Sequence, residues 1–158
     1  MNQFTVNQIG KIEMNEAGMF VRIEPEFIPA LQALEGFSHI QIVWWFDGCD
    51  NSRSRNVLEV PRPYKSAPQI MGTFATRSPE RPNPIALTTA QVIRLDHEGG
   101  LIQISYTDAD NGSPVLDLKP YTPSLDRVQQ PYVPVWCSHW PESLEESADF
   151  DWENEFTD

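Results

Sequence analysis

The chain has 158 residues, a formal charge of −12 and two cysteines, Cys49 and Cys137. The length suits one domain that buries a core without staples, and the charge argues against a general nucleic-acid binder. Two distant thiols outside any CxxC pattern, and His39, His97 and His139 without metal-ligand spacing, point to no metal.

Residues 4–13 (FTVNQIGKIE) read as a first strand. They carry neither the basic nor the apolar region of a signal peptide, and no apolar run is long enough to span a bilayer. The expectation is a cytoplasmic protein with no membrane partner. Residues 18–24 (GMFVRIE) alternate apolar and polar and predict a second strand. After Pro25 the apolar positions Ile28, Leu31 and Leu34 recur at helical spacing, with Gly36 as the stop. Residues 38–47 (SHIQIVWWFD) are β-branched and aromatic, which predicts a strand with Trp44 and Trp45 on opposite faces. One ring then belongs to the core, the other to an interface or a ligand platform.

Residues 48–68 are polar, basic and proline-bearing, and read as a long loop that is functional or disordered. Strands at 70–75 and 85–93 flank FATRSPERPNPIALT. LDHEGG turns into a strand over 101–108, and DNGSP is turn chemistry ahead of a short VLDLKPY strand. Many short strands joined by Gly/Pro turns predict a mainly β fold: a small antiparallel β-barrel or sandwich with one short helix and long loops. The barrel domain is placed at 1–135 and an acidic tail at 136–158.

Charge is segregated. Between Arg53 and Arg81 stand six bases and two acids; from Glu142 onward there are eight acids and no base. Such a tail reads as solvated or disordered, or as a mimic that screens the basic loop. No phosphate loop, GxGxxG, GxSxG or HExxH is present. The chemistry is therefore sought in the proline loop. Pro79, Pro82 and Pro84 stiffen it, lowering the entropy cost of holding Arg77 and Arg81, whose planar forks suit carboxylate or phosphate. The plain alternative is a structural loop whose arginines pair with internal acids. Asp117 and Lys119 alternate on one strand face, as a structural ion pair or as a polar cluster beside a ligand. Asp47 ends an apolar strand, where a carboxylate can meet a ligand at a barrel mouth or simply close a turn.

GFSHIQIVWWF, GTFATRSPERPNPIALT and DADNGSPVLDLKPY, in that order, resemble the TsaA/TrmO family, also called YaeB-like or VirR-like, over roughly residues 7–125. The resemblance implies a single small β-barrel that forms a homodimer. It implies S-adenosyl-L-methionine as cofactor, and methylation of the exocyclic nitrogen of threonylcarbamoyl-adenosine beside the tRNA anticodon. It places cofactor contacts at Asp47 and Gly48, Arg77, Leu87, Ser105, Tyr106, Thr107 and Asp108. Arg81 and Lys119 then serve the substrate, and Asp117 and Tyr121 are the candidates for taking the amine proton. The chain departs from the family in a shorter N-terminal arm, Ala86 for glycine, Asn111 for aspartate and Asp47–Gly48 for His–Gln. Two alternatives follow: a methyltransferase of the same fold acting on a small molecule, and a non-catalytic dimeric cofactor-binding module.

Overall fold

The computed structural model describes residues 1–157. Among them are eight strands: β1 (Gly10–Asn15), β2 (Gly18–Ile23), β3 (His39–Trp45), β4 (Glu59–Pro61), β5 (Ile70–Gly72), β6 (Ile85–Asp96), β7 (Leu101–Ile104) and β8 (Pro114–Pro120). They fall in two compact units. One comprises Met1–Asn51 with Asn83–Arg127; the other comprises Ser52–Pro82 with the chain from Val128 onward.

In the first unit six strands close into a barrel, in the order β1-β2-β7-β6-β3-β8. Every neighbouring pair is antiparallel, and β1 meets β8 at Gly10↔Val115 to complete the circle. The predicted antiparallel barrel is the fold observed. Its interior follows from strand alternation. Ile40, Ile42 and Trp44 of β3 turn inward, with Ile12, Val21, Ile102, Ile104 and Val115 from neighbouring strands. Trp44 is the core ring and Trp45 the outward one.

Several boundaries differ from the sequence expectation. β1 starts at Gly10, not at Phe4, because Phe4 and Val6 find nothing to pack on and stay exposed. Gly10 itself is required: a Cβ there would lie 2.2 Å from the Arg22 carbonyl oxygen on β2. The expected helix after Pro25 is a 3₁₀ turn, Pro25–Leu31, with Pro29 inside it. Proline lacks the N–H that an α-helix needs at that position. The turn still buries Leu31 in the barrel core. The 70–75 strand shortens to β5 and continues as a 3₁₀ turn, Thr73–Ala75. At the DNG turn, Gly112 takes φ 91°, which glycine adopts without strain. There the Asn111 carboxamide oxygen accepts from the Met14 N–H at 2.8 Å, tying the turn to β1.

The second unit has little regular structure. β4 pairs with β5, and the ladder extends through Thr73 N–H to Leu58 C=O (2.9 Å) and Arg62 N–H to Gln69 C=O (2.8 Å). Its interior is aromatic. Tyr64 stacks on Trp136 (centroids 5.8 Å, 17°) and meets Trp140 edge-on at 4.9 Å and Phe156 at 5.4 Å. Trp140 continues to Trp152 at 5.2 Å, and Trp152 to Phe150 at 4.8 Å. The acidic C-terminal segment thus supplies most of the rings.

Candidate functional site

Three stretches of the barrel unit converge at one end, and the strand register fixes their meeting. β3 ends where β6 begins, at Trp45↔Ile85. The chain leaving β7 runs back along β6, starting with Ser105 N–H to Gln91 C=O at 3.0 Å. A polar chain inside the barrel then ties all three together. Trp44 Nε1 donates to Thr88 Oγ1 at 2.9 Å, and Thr88 Oγ1 lies 3.3 Å from Thr107 Oγ1. The Ala109 N–H in turn donates to Thr107 Oγ1 at 3.2 Å. Buried hydroxyls and an indole N–H left unpaired would be costly, so the chain fixes the geometry as well as satisfying it. Thr88 is missed by sequence reasoning. The signal for it is indirect: a buried tryptophan needs an acceptor, and a polar residue on the paired strand supplies one.

Six of the predicted cofactor residues lie in the turn after β3 and the segment after β7, with distinct roles, Ser105 standing beside Gln91 and so at the far end of β3 from Asp47. Asp47 and Gly48 form an exposed 3₁₀ turn directly after β3, and the Asp47 carboxylate has no partner among the described residues. Tyr106 and Asp108 are exposed, whereas the Thr107 side chain is committed to the interior. The Ser105 hydroxyl accepts from the Gln91 N–H at 3.2 Å. Ribose hydroxyls, a cation and an adenine ring are the ligand groups that two free carboxylates, exposed backbone and a tyrosine face can receive.

Leu87 and Asp117 sit elsewhere on the barrel. Val43 of β3 pairs with Leu87 on one side and Asp117 on the other, and all three face outward. Two strand spacings put Leu87 and Asp117 about 10 Å apart. Asp117 accepts from the Leu118 N–H at 2.9 Å and pairs with Lys119 at 2.7 Å, so the predicted ion pair exists on a half-exposed surface. This contact pushes the Lys119 ammonium up from its ordinary value, through the hydrogen bond first and the opposite charge second. Tyr121 lies four residues beyond Asp117, roughly 13 Å along the strand, with its ring centroid 6.3 Å from that of His39. The structure does not bring Asp117 and Tyr121 together.

Arg77 and Arg81 belong to the second unit and behave differently from each other. Arg81 Nη1 donates to the carbonyls of Thr76 (3.3 Å) and Ser78 (3.2 Å), folding the guanidinium back onto its own loop. Further clips hold the same loop: Thr76 Oγ1 to Thr73 C=O at 2.8 Å, Ser54 Oγ to Glu80 at 3.2 Å, and Arg55 Nη1 to Pro82 C=O at 3.1 Å. Arg77 is exposed and has no hydrogen bond or ion pair among the described residues. Its charge is felt by Tyr64: burial pushes the Tyr64 hydroxyl up, and Arg77 pulls it the other way. Among the described residues no cluster of His, Cys, Asp and Glu suits a metal ion, and no helix is long and apolar enough to cross a membrane.

The family model for the tRNA-methyltransferase O N-terminal domain matches residues 7–127, which spans the whole barrel. An S-adenosyl-L-methionine-binding protein of Archaeoglobus fulgidus is 36% identical over 110 residues, covering 70% of this chain and 73% of that protein. The human tRNA (adenine(37)-N6)-methyltransferase is 38% identical over 106 residues, 67% of this chain and 23% of the human protein. The crystal structure of TrmO from Pseudomonas aeruginosa superposes with a TM-score of 0.62 at 26% identity, covering 83% of this chain and 62% of that one. The chain therefore spans less than a quarter of the human relative's length, and 27% of a second Archaeoglobus fulgidus protein that it also matches.

Proposed function

The chain belongs to the tRNA-methyltransferase O N-terminal domain family, and from that premise we propose that it binds S-adenosyl-L-methionine and methylates the N6 of threonylcarbamoyl-adenosine beside the tRNA anticodon. The observation that carries the reading is the barrel end, where the turn after β3, the start of β6 and residues 105–109 are tied by the Trp44–Thr88–Thr107 chain. The residues present fit the cofactor. Asp47 and Asp108 offer free carboxylates for the ribose hydroxyls. Gly48 and the Thr107 backbone offer close approach and polar partners, and Tyr106 offers apolar surface. Arg77 suits the carboxylate of the cofactor's amino-acid end, an assignment that rests on the family resemblance.

Bound S-adenosyl-L-methionine would supply an electrophilic methyl on sulfur. The protein's part is to align the acceptor nitrogen and exclude water. The acceptor nitrogen also loses a proton, and Asp117, whose carboxylate is engaged by Lys119 and the Leu118 N–H, lies away from this barrel end. Arg81 spends some of its donors on the loop and keeps the rest for substrate. The exposed bases of the 53–81 stretch suit tRNA phosphates. The outward apolar row of Ile85 and Leu87, 44% and 47% exposed beside Val43 and Trp45, supports a homodimer.

The test is calorimetric titration of S-adenosyl-L-methionine, followed by transfer of its labelled methyl to tRNA carrying the unmethylated nucleoside. Micromolar-range affinity lost in Arg77→Ala and Asp47→Ala, with label recovered in the nucleoside beside the anticodon, is expected. Absence of binding would sink the reading. Binding without transfer would leave a cofactor-binding module.

A further inference from the structure

We infer that Phe74 is a stacking surface for an unpaired nucleobase of the tRNA anticodon loop, an inference that rests on the tRNA reading above. Phe74 is 81% exposed on the 3₁₀ turn Thr73–Ala75. Its exposure is not that of a loose loop. The residue before it, Thr73, is 2% exposed; its N–H donates to Leu58 C=O and its hydroxyl to Val57 C=O, both at 2.9 Å. The Thr73 carbonyl accepts from both the N–H (3.0 Å) and the hydroxyl (2.8 Å) of Thr76, and Arg81 closes over the Thr76 carbonyl. A flat ring is thus presented to water from a backbone fixed on both sides. Phe4 and Tyr132 are as exposed, but neither lies in regular structure.

An aromatic face held in this way is pre-organised for stacking, because few torsions remain to be frozen. The charge of its own stretch of chain selects the partner: six bases stand against two acids over residues 53–81. Arg77 follows three residues along the same clipped loop. Arg53, Arg62 and Arg77 are exposed without an acid partner among the described residues. Apolar protein interfaces exclude charge from their centre, whereas single-stranded nucleic acid pairs stacked bases with a cationic track. An anticodon loop offers both: an unstacked adenine and a turn of phosphates.

The experiment uses the full chain and anticodon stem-loop RNAs with 2-aminopurine at each unpaired loop position in turn, whose fluorescence falls when the base stacks. Wild type and Phe74→Tyr are expected to quench it and Phe74→Ala and Phe74→Leu to lose the quench. In methyl transfer, Phe74→Ala should lower kcat/KM for tRNA about tenfold or more, the size that stacking of one base implies. S-adenosyl-L-methionine affinity should be unchanged. Quenching by Phe74→Ala equal to wild type would overturn the inference. So would loss of cofactor affinity, which would make the ring part of the cofactor site. A change in sedimentation would do the same by assigning the ring to contact with a second copy. The quench needs no turnover, so a wild type that fails to methylate tRNA contradicts the tRNA reading separately.

Discussion

The barrel unit and the second unit are built by different physics. The barrel is a closed ladder filled with branched aliphatics, and its strand backbones pair with neighbouring strands all the way round. The second unit has two three-residue strands, and is held by aromatic rings and by side chains bonded to carbonyls. Six strands make a mouth whose geometry tolerates sequence change outside the core. Rings and clips make a loop whose shape depends on a few named side chains.

The largest expected effect strikes the barrel. Ile42 is fully buried at the centre of β3, between β6 and β8. Ile42→Ala should cost about 2–5 kcal/mol, from lost transfer free energy plus the cavity left behind. Urea unfolding followed by far-UV circular dichroism measures it. A cost under about 1 kcal/mol would mean that the barrel collapses around the gap and is softer than a closed ladder implies.

Next comes the second unit. Trp140 touches Tyr64, Trp136 and Trp152, and its indole N–H donates to Glu155 at 3.0 Å. It is only partly buried, so Trp140→Ala should cost less than a fully buried tryptophan would, about 2–3 kcal/mol. Hydrogen exchange should show faster exchange at amides of Leu58–Thr76 and little change at those of β3 and β6. Equal loss of protection in both units would show that they unfold as one and that the contrast between them is false.

The contrast also explains what is legible in the sequence. Alternation in SHIQIVWWFD and turn residues such as DNG report directly on neighbours along the chain, and the barrel follows from them. The site residues after β3 and β7 are reached only through the family resemblance, because nothing in their local pattern marks a ligand. The second unit joins Tyr64 to Trp136 and Phe156, partners far away in sequence with no period to betray them. Charge is a partial guide. Eight acids from Glu142 onward read as a solvated tail, and most of those residues are exposed, while the rings interleaved among them pack on Tyr64 and Trp140. Arg81 is a second case: the resemblance gives it to the substrate, while bonds to Thr76 and Ser78 turn part of its guanidinium back onto the loop.

The smallest expected effect is a pH dependence that separates the units by one proton each. In the second unit Glu155 accepts from Trp140 Nε1 and from His139 Nε2 at 2.9 Å, and the Lys65 N–H donates to its backbone carbonyl. These contacts, the Trp140 N–H first and His139 second, hold the Glu155 carboxyl below its ordinary 4.5. In the barrel the Arg22 Nε–H, 2.7 Å from Glu13, does the same for Glu13. A carboxyl whose folded value is depressed binds fewer protons folded than unfolded in that range, so stability rises with pH there. The contribution is complete above the unfolded value near 4.5 and disappears as pH falls through the lower folded value. Unfolding free energies between about pH 3 and pH 6 should therefore slope upward, and Glu155→Gln and Glu13→Gln should each flatten part of that slope. Read by hydrogen exchange, the Glu155→Gln flattening belongs to amides around Tyr64 and the Glu13→Gln flattening to β1 and β2. If both substitutions flattened the same amides, a single cooperative unit would carry both protons, and the two regions would differ in composition but not in stability.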